Sequence, residues 1–97
     1  MKLFSVFLKS APNHITALKI TAELYMELGE TDKALQAIER ALFLAPGNSS
    51  LHIIKGYILL ARGDIDGAFT EADLASALNH NKIGVGYIKA EGYRIRN

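Results

Sequence analysis

An internal repeat with a period of 34 residues is the feature that most limits how this chain can fold. Small residues recur at that interval, and the matching pairs are Gly29 with Gly63, Ala34 with Ala68, and Ala41 with Ala75. Larger residues keep the same phase, because Leu35 matches Phe69. One helix-turn-helix unit has about this length. The sequence therefore predicts stacked helical hairpins whose core is continuous from one unit to the next.

Apolar residues at helical spacing predict six helices joined by short turns. The first predicted helix covers residues 2–10, and the second runs from the N-cap Asn13 to Leu28. The third covers residues 32–44 and begins after Glu30 or Thr31, and the fourth runs from the cap Asn48-Ser49-Ser50 to Ala61. The fifth runs from the N-cap Asp64 to Asn79, and the sixth covers residues 82–96. Gly29 ends the second helix, because glycine takes a positive φ without strain.

The best-formed unit, residues 15–48, resembles a tetratricopeptide repeat (TPR). The residues at that family's offsets are Leu18, Ala22, Tyr25, Gly29, Ala34, Ala41 and Pro46. The resemblance extends over nearly the whole chain. It implies an all-α fold of antiparallel helix-turn-helix repeats, stacked into a short right-handed superhelix of about six helices. It also implies one domain, 1–97, made of a half repeat at 1–12, full repeats at 15–48 and 49–82, and a half repeat at 83–97.

Composition argues against several classes of partner. Eleven basic and ten acidic residues give a net charge of +1, so no strong field attracts nucleic acid or anionic lipid. The chain has no cysteine, and no stretch reaches the ~20 apolar residues of a membrane span. The apolar run 3–8 is shorter than the ~7–15 residues of the apolar region of a signal peptide. We therefore expect no nucleic-acid binding, no membrane insertion and no signal peptide. A cytoplasmic location is favoured.

Catalytic and metal-binding patterns are missing from the sequence. His14, His52 and His80 lack the close spacing and carboxylate partners of a zinc site. Gly84 and Gly86 belong to no complete phosphate-binding motif. We therefore expect a protein that is not an enzyme and that uses no cofactor and no metal.

The resemblance implies a binding groove, because the first helix of each TPR unit lines the concave face. The groove residues predicted in this way are Lys19, Glu23, Met26, Ile53, Tyr57, Leu60, Tyr87, Glu91 and Arg94. Lys19 matches the family's peptide-carboxylate clamp, but other positions where asparagine is needed hold different residues, so we reject that clamp. An apolar groove bearing tyrosines suits a peptide or an amphipathic helix of another protein. Alternatively, these side chains pack against helix 82–96 or against a second copy.

A second hypothesis is structural. The chain would then be a self-associating module, most simply a two-fold homodimer, or a fragment of a longer TPR scaffold. Apolar faces of the two end helices would form the self-association contacts, and the residues predicted for this role are Leu3, Phe4, Phe7, Val85, Ile88 and Tyr93.

Overall fold

A computed structural model describes residues 14–79 and 82–96, and every regular element within those ranges is an α-helix. The helices are α1 (Ile15–Glu27), α2 (Thr31–Leu44), α3 (Ser49–Ala61), α4 (Ile65–Asn79) and α5 (Lys82–Arg96). The predicted all-α fold is confirmed, and helix bounds agree with the sequence prediction to within one residue or two. The predicted helix 2–10 lies outside the described residues. Stacking of the repeats into a right-handed superhelix stays a prediction.

The chain divides into two compact units after Pro46, two residues before the end of the predicted repeat 15–48. In the first unit α1 packs against α2. In the second unit α3 packs against α4, and α5 packs against both of them. The second unit therefore contains one helical hairpin and a third helix packed on it.

The two hairpins turn in the same way. Gly29 and Gly63 have φ values of +78° and +85°, a region that L side chains rarely adopt. The amide after each glycine donates to the carbonyl oxygen five residues earlier, at 2.9 Å in the first hairpin and 2.8 Å in the second. This pattern is a Schellman motif, which satisfies carbonyl groups left free at a helix C-terminus. The glycines of the sequence repeat are thus the residues that the turns require.

Side-chain caps begin three of the helices. Asn48 Oδ1 accepts a hydrogen bond from the Ser50 amide at 3.0 Å, and Asp64 Oδ1 accepts from the Gly67 amide at 2.9 Å. Both residues therefore have the capping roles predicted for them. At α1 the N-cap is His14, whose Nδ1 accepts from a backbone amide at 3.3 Å, where the sequence predicted the preceding residue.

Small residues form the contact between paired helices. Ala34 and Ala41 of α2 are fully buried, and so are the residues that match them in α4, Ala68 and Ala75. A methyl side chain lets neighbouring backbones approach closely, so equivalent alanines serve the same purpose in both hairpins. Among residues 14–79 and 82–96, no helix combines the length and the apolarity needed to cross a bilayer.

Candidate functional site

Two tyrosines from different helices meet on the second unit. Tyr57 of α3 and Tyr87 of α5 have ring centroids 5.4 Å apart and ring planes at 88°, an edge-to-face arrangement. Aromatic pairs favour this geometry because the positive edge of one ring faces the negative face of the other. Tyr57 is half-buried, whereas Tyr87 is 56% exposed. The pair therefore presents one aromatic surface to solvent, formed by two residues that the sequence assigned to the groove.

Glycines bring α5 close enough to α3 for this pairing. A Cβ atom at Gly56 would lie 2.6 Å from Ile88 Cδ1, and one at Gly84 would lie 2.9 Å from Ile53 Cγ2. These distances are shorter than van der Waals contact, so a larger residue at either position would require the facing isoleucine to shift or the helices to move apart. Ile53 and Ile88 are buried at this contact. Ile53 lies one helical turn before Tyr57, and Ile88 directly follows Tyr87. A buried apolar contact between α3 and α5 thus supports the aromatic surface.

Contacts with α4 hold the other side of α5. The rings of Phe69 and Tyr93 lie with centroids 5.0 Å apart and planes at 53°. Gly92 leaves room for this ring, because a Cβ atom there would overlap Phe69. Lys89 Nζ lies 2.8 Å from Asp73 Oδ1, and this hydrogen bond raises the pKa of Lys89 above its ordinary value. Such an exposed ion pair orients the helix but contributes little stability.

A charged pair, Glu91 and Arg94, lies one and two turns beyond Tyr87 on α5. Arg94 Nη2 is 2.8 Å from Glu91 Oε2. Their hydrogen bond lowers the pKa of the Glu91 carboxyl and raises that of the Arg94 guanidinium. Each charge is therefore already satisfied within the helix, and the two predicted groove residues form a polar edge beside the tyrosines.

The remaining predicted groove residues differ in accessibility. Ile53 and Leu60 of α3 are buried, so their side chains contribute to packing beneath the surface. In the first unit, Lys19, Glu23 and Met26 follow one another at i, i+4 and i+7 on α1. Glu23 is exposed, and the other two are half-buried. Their place in a groove with the tyrosine pair stays a prediction.

The residues predicted for self-association are also placed differently. Ile88 is fully buried and packs against Gly56 within the second unit, so its side chain is not on an outer face. Val85 is half-buried, and Tyr93 is exposed although its ring contacts Phe69. The other three predicted residues, Leu3, Phe4 and Phe7, lie outside the described residues.

A hydrogen-bonded pair that was not predicted from the sequence joins α3 to α4. His52 Nδ1 lies 2.8 Å from Glu71 Oε1, and both side chains are nearly buried. The matching positions in the first repeat hold Leu18 and Ala37, which are buried and apolar. Aligning the repeats would have shown this joint replacement of two apolar residues by two polar ones. Within the described residues, no group of three His, Asp or Glu side chains is arranged to hold a metal ion.

Partial burial of Tyr57 makes the stability of the folded state depend on pH. Desolvation, and secondarily the neighbouring Tyr87, raise the pKa of the Tyr57 phenol above its ordinary value of 10.0. The folded state therefore holds this proton more tightly than the unfolded state. The resulting contribution to stability is fully present below about pH 10 and is lost as pH rises through the folded-state pKa.

We expect the free energy of unfolding to fall more steeply in the parent than in Tyr57→Phe, which has no phenolic proton. Urea unfolding of both proteins from about pH 8 to about pH 11 measures the difference. Parallel pH profiles would contradict the stated burial of this hydroxyl group.

Comparison with models of known protein families gives no match for this chain, and no curated protein matches it. A function is therefore assigned from surface geometry and chemistry. The tyrosine pair on the second unit, with its buried apolar support and its polar edge, is the arrangement that carries this assignment.

Proposed function

We propose that the chain is a non-enzymatic protein-interaction module of the TPR type. It binds an amphipathic helix or a peptide of another protein on the surface formed by α3 and α5 of the second unit. The observation that carries the proposal is the edge-to-face pair of Tyr57 and Tyr87, with Tyr87 56% exposed. Tyrosine is common at binding hot spots because it combines a large apolar ring with a polar end.

The chemistry of this surface favours an amphipathic helix as ligand. The two rings offer apolar area, and their hydroxyl groups offer hydrogen bonds at its margin. The Tyr57 phenol, whose ordinary pKa of 10.0 is raised further by burial, is protonated at neutral pH like any tyrosine and can donate a hydrogen bond. Glu91 and Arg94 neutralise each other, so the edge of the surface attracts neither acidic nor basic ligands strongly. A ligand with an apolar stripe and a polar opposite face meets both conditions.

Exposed apolar residues at the end of α5 support a second candidate function. Tyr93 and Ile95 are 56% and 45% exposed. Such residues are also suited to contact a second copy of the chain, as in a self-associating module, or a further repeat of a longer scaffold. Light scattering separates self-association from the first function. A monomer at high micromolar concentration favours the peptide-binding module, and a stable dimer favours self-association.

The proposal is tested with a peptide selected on the immobilised chain from a phage-displayed random library. The double variant Tyr57→Ala/Tyr87→Ala should bind this peptide about 30-fold more weakly, which corresponds to ~2 kcal/mol, because both aromatic anchors are removed. Fluorescence anisotropy with the labelled peptide measures the change. Far-UV circular dichroism checks that the variant remains helical.

Two matched controls accompany this measurement. Tyr57→Phe/Tyr87→Phe keeps both rings and should retain most of the affinity, because the apolar contact area is preserved. Ile95→Ala removes an exposed apolar side chain from the same helix outside the tyrosine pair and should leave the affinity unchanged. Full affinity in the folded alanine variant would refute the assignment of the surface.

A further inference from the structure

The helix that carries Tyr87 has a sequence poorly suited to helix formation. Within its 15 residues, α5 contains Gly84, Gly86 and Gly92. Each glycine disfavours a helix about fivefold relative to alanine, because the unfolded glycine backbone has more freedom to lose. An isolated helix of ~15 residues is marginal even with good helix formers. Helical structure in α5 therefore depends on contacts with the rest of the second unit.

Two of the three glycines have a packing role, and the third does not. Gly84 and Gly92 lie against Ile53 and Phe69, where a Cβ atom would be too close. Gly86 is exposed, and a Cβ atom built there meets no atom of the described chain within 4 Å. Glycine at position 86 consequently weakens the helix without permitting any closer approach.

The hairpin beneath α5 has internal contacts of its own. The fully buried Ala68 and Ala75 lie on α4, which packs against α3. The hydrogen bond between His52 and Glu71 joins the same two helices. The Gly63 turn closes the hairpin through backbone hydrogen bonds. None of these contacts uses a residue of α5, so α3 and α4 can remain paired when α5 is released.

We propose that α5 docks on the α3–α4 hairpin and leaves it as one cooperative unit, and that docking creates the binding surface. Tyr87 stands beside Tyr57 in the docked state alone. A ligand that contacts both rings therefore stabilises α5, and release of α5 removes the site. Gly86 sets the balance between the two states, because it lowers helix propensity at an exposed position. This regulation rests on the proposed function, whereas the docking equilibrium itself does not.

Native-state amide hydrogen exchange, resolved by NMR on the full chain, tests the docking equilibrium without any ligand. Amides of α5 should exchange through an opening that leaves α3 and α4 protected. Gly86→Ala should slow exchange in α5 about fivefold, equivalent to ~1 kcal/mol, because it favours the helix and adds no clash. Ala90→Gly, at another exposed position of the same helix, should speed exchange there by a similar factor.

Ala77→Gly is the matched control for Ala90→Gly, since it makes the same substitution at an exposed position of α4. It should speed exchange in α3 and α4 and leave the α5 opening unchanged. If α5 amides instead exchange together with those of α3 and α4, and respond equally to Ala77→Gly and Ala90→Gly, the proposal is overturned.

The coupling to binding has a separate readout, for which the probe is the library-selected peptide. At saturation the peptide should slow exchange of the α5 amides further. A peptide whose affinity depends on Tyr57 and Tyr87 but which leaves α5 exchange unchanged would overturn the coupling and leave the proposed function intact. A peptide insensitive to both tyrosines would overturn the proposed function and leave the docking result standing.

Discussion

Replacing Ile88 with alanine should lower the free energy of unfolding of the second unit by ~2–5 kcal/mol. Ile88 is fully buried, and its Cδ1 occupies the space above Gly56. Truncation removes apolar area from the core and leaves a cavity that two close-packed helices fill poorly. Much of the loss should fall on α5, whose helicity depends on such contacts. Urea unfolding followed by far-UV circular dichroism measures the effect.

Ile95→Ala is the matched control for this experiment, because it makes the same truncation on the same helix at a side chain that is 45% exposed. Its cost should be below ~1 kcal/mol, since an exposed side chain leaves no cavity. Suppose instead that Ile88→Ala retained full stability but abolished an association between chains. Ile88 would then belong to a self-association face, as the sequence analysis expected.

Replacing Ala41 with leucine should destabilise the first unit by ~1–3 kcal/mol. Ala41 is fully buried on α2, which packs against α1. An isobutyl group in place of the methyl group must force α1 away or adopt an unfavourable rotamer. The added apolar area cannot compensate, because the space it would fill is already occupied. Thermal unfolding should show a lower Tm than that of the parent.

Gln36→Leu provides the comparison for Ala41→Leu. It introduces the same side chain on the same helix, at a position exposed to solvent. Its effect on Tm should be small, since surface substitutions usually change stability by less than ~0.5 kcal/mol. A Tm for Ala41→Leu at or above the parent value would show that the close contact between α1 and α2 lies elsewhere.

Local chemistry explains why the helices and turns could be predicted from the sequence. A glycine at position 29 and another at position 63 specify positive-φ turns, because other residues are strained there. Asn48 and Asp64 specify helix starts through hydrogen bonds to amides two or three residues away. Each of these effects acts within a few residues of its source. The 34-residue repeat indicated that the same helix-turn-helix unit recurs along the chain.

Which side chains of a helix face a neighbouring helix was harder to predict from the sequence than the helices and turns themselves. Helical spacing is compatible with Tyr57 and Tyr87 either facing a ligand or packing against the neighbouring helix. In the structure they pack together and Tyr87 is still half-exposed. Ile88 was expected on an outer face, yet it is fully buried. Residues one position apart on a helix point about 100° apart, so a modest rotation of α5 decides between these outcomes.

The sequence by itself determined the helical segments, the two glycine turns and the small residues between paired helices, because these depend on backbone preferences and short-range spacing. Tertiary structure decided what stabilises α5, although apolar spacing had already predicted a helix there. Its three glycines argue against a helix locally, but contacts of Ile88 with Gly56 and of Tyr93 with Phe69 stabilise one. Tertiary packing also joined His52 to Glu71 across 19 positions of sequence. Such contacts depend on how whole helices rotate and approach, which local propensity does not encode.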